Sequence, residues 1–291
     1  MNSLKIVSMN GDLESQLYQY TFLHFLELNT GQNCLVDDSD FFVRDSEYEY
    51  QLEKIFNIKL NLLSRYFTED VWKEMILAKE QGIIIPQQLL DNGMDLMMIT
   101  DSKDYQFEGN VIYFNPNLLD NGIMNAYLQA KGIIYYHGKF RNEVFYSVVR
   151  KDLQQKLVFP ELVETLEINT INVLYQNLIR ITQSVAIYIK KEDMLNQNYE
   201  KIIHALKVKE LEYIYFVFSD DIDWCKKHCV ELGLEEINKS IYYVEENKNT
   251  AHIDIQLMSL CKIMILPKDS IALWAYKLNR RPDVELICVD K

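Results

Sequence analysis

The sequence predicts a two-domain α/β protein whose C-terminal half is a doubly wound parallel sheet. From about Val158 onward, short continuous apolar runs alternate with helical segments. Strands buried on both faces between crossover helices have that pattern. The first 30 residues follow one strand, loop and helix sequence of the same kind. A length of 291 residues exceeds the ordinary span of one domain, so two cores are expected, over 1–160 and 161–291.

In chain order, Lys5 to Met9 reads as a strand, Asn10 to Ser15 as a polar turn with one glycine, and Gln16 to Leu28 as an amphipathic helix. Helical periodicity covers Tyr48 to Lys79, and Met97 to Ile99 and Val111 to Phe114 read as short strands. Asn115-Pro116-Asn117 and Asp120-Asn121-Gly122 are turn signals ahead of the aromatic stretch Ile133 to Phe145. A helix over Leu162 to Gln183 leads into the second domain. Strands are expected there at Val185 to Ile189, Tyr213 to Phe218, Ile241 to Val244, Ile263 to Leu266 and Val284 to Val289. Helices are expected between them at Tyr199 to Leu206, Ile222 to Leu232, His252 to Cys261 and Ser270 to Leu278.

Hydrophobic residues at 48% and charged residues at 25% make a composition that buries a core. A formal net charge of −13 speaks against a nucleic-acid partner, which needs a clustered positive field. Apolar runs stay short of a membrane span, and Met1 to Met9 lacks the apolar stretch of a signal peptide. The expected compartment is therefore the cytoplasm. Five cysteines, an odd number without a secretion signal, are expected to be free thiols.

Ligands of doubly wound sheets bind beyond the carboxyl ends of the strands, so those loops are where chemistry is expected. Lys190-Lys191-Glu192-Asp193 follows the Val185 strand, and its two cations suit a pyrophosphate as well as they suit a solvated turn. Ser219-Asp220-Asp221-Ile222-Asp223 follows the next strand. It is ordinary helix-start chemistry, and it also offers a carboxylate able to accept two hydrogen bonds from guanine. Asp221 and Asp223 spell a metal-binding pair only in letters, because neighbouring positions at a helix start diverge. Cys225, His228 and Cys229 supply three potential zinc ligands without a fourth, so no metal site is expected. Lys268 and Ser270 open the last helix, where a phosphate or a plain cap fits equally. No G-x-G-x-x-G follows any strand, which disfavours a dehydrogenase.

Taken in order, these loops resemble family 11 glycosyltransferases, the α-1,2-fucosyltransferases and their relatives. Gly11 to Tyr20 is similar to the family's GGLGNQMFQYA, keeping Gly11, Leu13, Gln16, Gln19 and Tyr20. Gly138 to Phe145 resembles GYWQSEKYF, with Gly138, Glu143 and Phe145 in place. Ser184 to Asp193 stands where the family has SVSIHVRRGD, and Phe218 to Trp224 resembles FSDDIEW. Asp254 and Leu257 to Lys262 resemble the DMYLMSLCKH helix, and Ser270, Trp274, Leu278 and Asn279 keep part of NSSFSWWGAWLN.

The resemblance implies a GT-B type fold, two Rossmann-like domains facing a cleft, with an acceptor-side N-terminal domain and a nucleotide-sugar-binding C-terminal one. It implies metal-independent, inverting transfer from a nucleotide sugar, GDP-fucose or another donor, to a glycan or lipid-linked oligosaccharide. No cofactor beyond that donor is implied, and peripheral attachment to the inner face of the membrane is compatible with such an acceptor. Donor contacts fall on Gly11, Tyr188, Asp193, Ser219, Asp220, Asp221, Asp254, Lys268 and Ser270. Lys190 and Lys191 would stabilise the leaving diphosphate, and Asp12, Glu14 and His137 are candidate bases. Tyr188, Lys190, Lys191 and Glu192 replace the family's His, two Arg and Gly. Lysine keeps the charge and loses the bidentate fork. These replacements motivate an alternative, a catalytically degenerate protein of the same fold that binds a glycan or a partner.

Overall fold

The structure is a computed structural model that describes residues 3–101, 107–113, 128–165, 168–190, 198–207, 212–245, 247, 251–268 and 270–289. The chain divides into two compact units, Met1–Lys156 and Leu157–Lys291. Residues 157–160 go with the second unit, where the Pro160 carbonyl accepts from the Gln256 side chain.

In the first unit, β1 (Leu4–Ser8) leads into α1 (Leu13–Thr30) and β2 (Leu35–Asp37). Three further helices, α2 (Leu52–Phe56), α3 (Glu69–Glu80) and α4 (Ile85–Asp91), precede β3 (Leu96–Thr100), β4 (Asn110–Tyr113), β5 (Ile133–His137) and α5 (Glu143–Lys156). The strands form one parallel sheet in the order β2-β1-β5-β3-β4. Asp12 starts α1, its Oδ1 accepting from the backbone N–H of Ser15 at 2.9 Å and from the Ser15 hydroxyl at 2.7 Å. Gly31, at φ +65°, ends it with an N–H bond to the Glu27 carbonyl. The helix is buried without a break from Ser15 to Leu26, which makes it the centre of its unit.

One long helix over Tyr48 to Lys79 does not form. Asn57 takes up a left-handed conformation at φ 54° and ends α2. Residues beyond it extend along the edge of β2, with the Val36 N–H bonded to the Asn61 carbonyl and Leu62 bridged to Val36. Leu60 and Leu62 are buried and Asn61 exposed, so the local period is two rather than 3.6. The aromatic stretch also divides, into β5 and the start of α5, at Gly138 (φ +148°) and Phe140 (φ +48°). The turn signals at 115–117 and 120–122 lie outside the described residues.

The second unit contains α6 (Thr170–Ile181), β6 (Gln183–Ile189), α7 (Asn198–Lys207), β7 (Tyr213–Ser219), α8 (Ile222–Lys227), β8 (Ile241–Tyr243), α9 (Ala251–Met258), β9 (Ile263–Pro267), α10 (Leu273–Leu278) and β10 (Glu285–Val289). Its sheet is also parallel, in the order β10-β9-β6-β7-β8. Val185, Ile187, Ile189, Val217, Ile263 and Ile265 are its buried centre. Four helices are shorter than the sequence predicts, α9 among them, which ends at Met258. Asn169 caps α6, while the backbone of Leu162 pairs with both ends of the Gln176 amide, so that 162–165 runs beside the helix instead of within it. Beyond Lys227 the chain turns toward Gly233, at φ +71°. Ser270 lies in the turn before α10, its hydroxyl donating to the Pro267 carbonyl at 3.2 Å.

Asp12→Ala should cost about 1 kcal/mol through loss of the α1 cap, measured as a lower urea midpoint with an unchanged slope.

Candidate functional site

Parallel strands put every carboxyl end of a unit on one edge, and the place where the strand order changes direction opens a crevice there. In the first unit that place is between β1 and β5. Gln19, fully buried on α1, joins the two loops. Its Nε2 donates to Asn10 Oδ1 and to the Gly138 carbonyl, both at 3.0 Å, and its Oε1 accepts from the Asn10 N–H at 3.0 Å. Gln16 holds the adjacent turn, donating to the carbonyls of Gly11 at 2.9 Å and Glu49 at 2.8 Å. Gly11 sits at φ +74°, a conformation that disfavours a side chain.

Asp101, just past β3, secures the loop after β5 by accepting from the N–H groups of Lys139 at 3.1 Å and Phe140 at 2.8 Å. Phe140 is buried at positive φ, with its ring stacked 3.9 Å from Phe22. The same loop carries Arg141, which pairs with Glu14 and lies 5.2 Å from the Tyr18 ring centre. Burial pushes the Glu14 carboxyl above its ordinary value, and Arg141 opposes that shift. His137 ends β5 with its Nδ1 3.4 Å from the Thr100 hydroxyl. Burial pushes the imidazole below its ordinary value against the pull of Asp40, Asp101 and Asp37, so at neutral pH the ring is neutral and able to take a proton. Glu14 and His137 thus flank one edge of this unit.

In the second unit the direction changes between β6 and β9. The last paired residues are Ile187 and Ile265. Each strand continues for two residues, to Ile189 and Pro267, and the next residues are Lys190 and Lys268. Two cations therefore leave the sheet from adjacent strands, Lys190 half-buried and Lys268 exposed. On the other side of β6, Ser219 ends β7 and its hydroxyl accepts from the Asp221 N–H at 3.0 Å. Asp221 caps α8 by accepting from the Trp224 N–H at 3.0 Å, while Asp220 is exposed. Tyr188 is half-buried on β6 and its carbonyl accepts from the Tyr199 hydroxyl. Lys191 and Asp193 lie outside the described residues.

Asp254, on α9, is part of a polar chain that the sequence does not reveal. Asn172 Nδ2 donates to Asn247 Oδ1 at 3.1 Å, and Asn247 Nδ2 donates to Asp254 Oδ1 at 2.6 Å. Burial pushes the Asp254 carboxyl up to about 6, against the opposing bond from Asn247. Cys225 and its neighbours do not make a metal cage. Cys225 is buried, and His228 stacks on Trp224 at 3.9 Å. Among the described residues no three His, Cys, Asp or Glu side chains are grouped to hold an ion. All five cysteines are free, and among the described residues no helix is long and apolar enough to cross a membrane.

The model of glycosyl transferase family 11 matches residues 117–291. The chain belongs to that family. It is 28% identical to an α-1,2-colitosyltransferase of Escherichia coli over 157 residues, which is 50% of this chain and 51% of that protein. It is 22% identical to the O-antigen biosynthesis glycosyltransferase WbnK of Escherichia coli over an alignment covering 94% of this chain and 90% of that one. Its fold is similar to that of POFUT1 in complex with GDP-fucose, with a TM-score of 0.55 at 11% identity, covering 100% and 99% of the two chains. The architecture is accordingly the GT-B type, two α/β units each built on a parallel sheet.

The match to family 11 takes in Gly138, Arg141 and the whole second unit, and Gly11 and Glu14 precede it. Sequence reasoning placed Lys190, Lys268, Ser219 and Asp221 at the edge where the structure has them, but missed Asp101, Arg141, Asn172 and Asn247 as participants. For Gln16 and Gln19 a signal was available, their place in the segment Gly11 to Tyr20 that resembles the family's GGLGNQMFQYA.

A side chain at Gly138 would collide with the Asp101 carboxylate and strain the backbone at φ +148°. Gly138→Ala is expected to lower stability by roughly 1–3 kcal/mol, seen as a reduced Tm. Asp254 gives a pH signature. Its proton leaves the unfolded chain near 3.8 and the folded protein near 6, so stability falls as pH rises between those values and is level above them. Asp254→Asn keeps an acceptor for Asn247 and should abolish that slope. The expected gain is on the order of 2 kcal/mol at neutral pH and nil below about pH 4, by denaturant titration across pH.

Proposed function

We propose that this family 11 member transfers a sugar from a nucleoside-diphosphate donor, GDP-fucose first among them, to a hydroxyl of a glycan or lipid-linked oligosaccharide, with inversion and without a metal. The observation that carries this reading is the pair of cations, Lys190 and Lys268, at the switch point of the second sheet. In a transfer of this kind the acceptor oxygen bonds to the anomeric carbon, the bond from that carbon to the diphosphate breaks, and the hydroxyl proton passes to a base. Charge accumulates on the leaving diphosphate, which lysines stabilise best in a site that limits water. His137 in its neutral form, or Glu14 once ionised, takes the proton. The GDP-fucose bound by POFUT1 and the O-antigen role of WbnK support the donor and acceptor classes.

Asp221 is the candidate for reading guanine, although its Oδ1 already caps Trp224. A carboxylate has about four acceptor sites, so a two-bond grip on the base is compatible with that cap. A second reading, a protein that retains the fold and binds a glycan without transfer, is favoured by the Arg141 pairing that holds Glu14. Nucleotide binding without sugar release or transfer would single it out.

Thermal shift with GDP, UDP and dTDP tests the proposal, since a ligand of the folded state raises Tm with its concentration over Kd. GDP is expected to stabilise most, and Lys190→Ala to weaken it about tenfold, as loss of a charge-assisted contact does. Indifference to all three nucleotides, or a Lys190→Ala variant that binds as wild type does, would remove the donor assignment.

A further inference from the structure

The first unit contains a cavity of about 740 Å³ away from the edge where Glu14 and His137 lie. It lies between the later turns of α1, the end of α2 with the extended segment 57–61 beside β2, and Lys156 at the end of α5. Glu27 on its wall is about 20 Å further along α1 than Glu14, at 1.5 Å per residue. Drug-like pockets are lined mainly by apolar groups. This one is lined mainly by amides, two phenols, a carboxylate and two ammonium groups.

Tyr20 sets the character of the cavity. It is 3% exposed and lines the wall, yet among the described residues its hydroxyl has no hydrogen-bond partner. Burial pushes its pKa up to about 12, so it stays a donor across the working pH range. Glu27, two helical turns on, supplies acceptor oxygens, one of them already bonded to the Cys34 N–H at 3.1 Å. Asn33, Asn57 and Asn61 add amides that both donate and accept. Tyr66 is 60% exposed, and its hydroxyl bond to Asn61 Oδ1 at 2.7 Å holds the ring in place at the rim.

We infer that this cavity is a saccharide-binding site, separate from the Glu14–His137 edge of the same unit. Each sugar hydroxyl both donates and accepts, which the alternation of phenol, carboxylate and amides matches. The C–H face of a pyranose suits a fixed aromatic ring such as Tyr66. Such a site would hold a unit of a growing glycan away from the sugar being extended, so that a long acceptor is gripped twice.

Saturation-transfer NMR on the full chain tests this with free galactose, glucose, N-acetylgalactosamine, N-acetylglucosamine and fucose, each with and without saturating GDP. At least one saccharide is expected to give transfer that persists with GDP. Tyr20→Phe and Tyr66→Ala, each checked for an unchanged Tm, are expected to weaken it about fivefold, as loss of one neutral hydrogen bond or ring contact does. Their GDP affinity is expected to match that of wild type. No transfer from any of the five, transfer abolished by GDP, or two variants that bind as wild type does would overturn the assignment. Absence of GDP binding alone would count against the donor proposal and leave this one standing.

Discussion

Every described strand pair in both sheets is parallel, and this constraint governs where the loops and charged groups of each unit can lie. A chain that leaves one strand can re-enter a parallel sheet only after travelling back along it, so a crossover must come after nearly every strand. Strand ends and the N-termini of returning helices then collect on a single edge of each unit. Lys190, Lys268, Ser219 and Asp221 share such an edge for that reason, and so do Asn10, Asp101 and His137 in the other unit. Residues far apart in sequence become neighbours without a dedicated contact being built for each pair.

How far the sequence discloses this depends on which forces set each element. β6, β7 and β9 are legible because their apolar runs are continuous and bounded by charge, as strands buried on both faces must be. Helix ends decided by distant partners are not. α6 begins only where Asn169 caps it, because Gln176 has claimed the backbone of Leu162. The edge segment after Asn57 looks helical until its pairing with β2 is known.

The candidate site divides along the same line. Position after a strand is a local property, so Lys190 and Lys268 can be found by reading. The Gln19 bridge to Gly138 spans 119 residues, and the Asn172–Asn247 bond spans 75. Such pairs leave a trace in sequence only as polar residues where apolar ones are expected, without naming their partners. They also explain why lysines in place of arginines leave the architecture intact. The loops are held by buried amides and carboxylates, and the cations at the strand ends bear on ligand chemistry more than on folding.

Trp72 belongs to the aromatic core of the first unit, against Phe42 and Phe67, whereas Trp224 lies face to face with His228 one turn beyond the Asp221 cap. Indole emission depends on what touches the ring and on whether that neighbour carries charge. Trp274 is fully buried, with the Lys277 ammonium 4.9 Å from its ring centre, and Trp224 is half-exposed. Each unit therefore carries a built-in fluorophore, one set in an aromatic core and the other beside a strand-end loop.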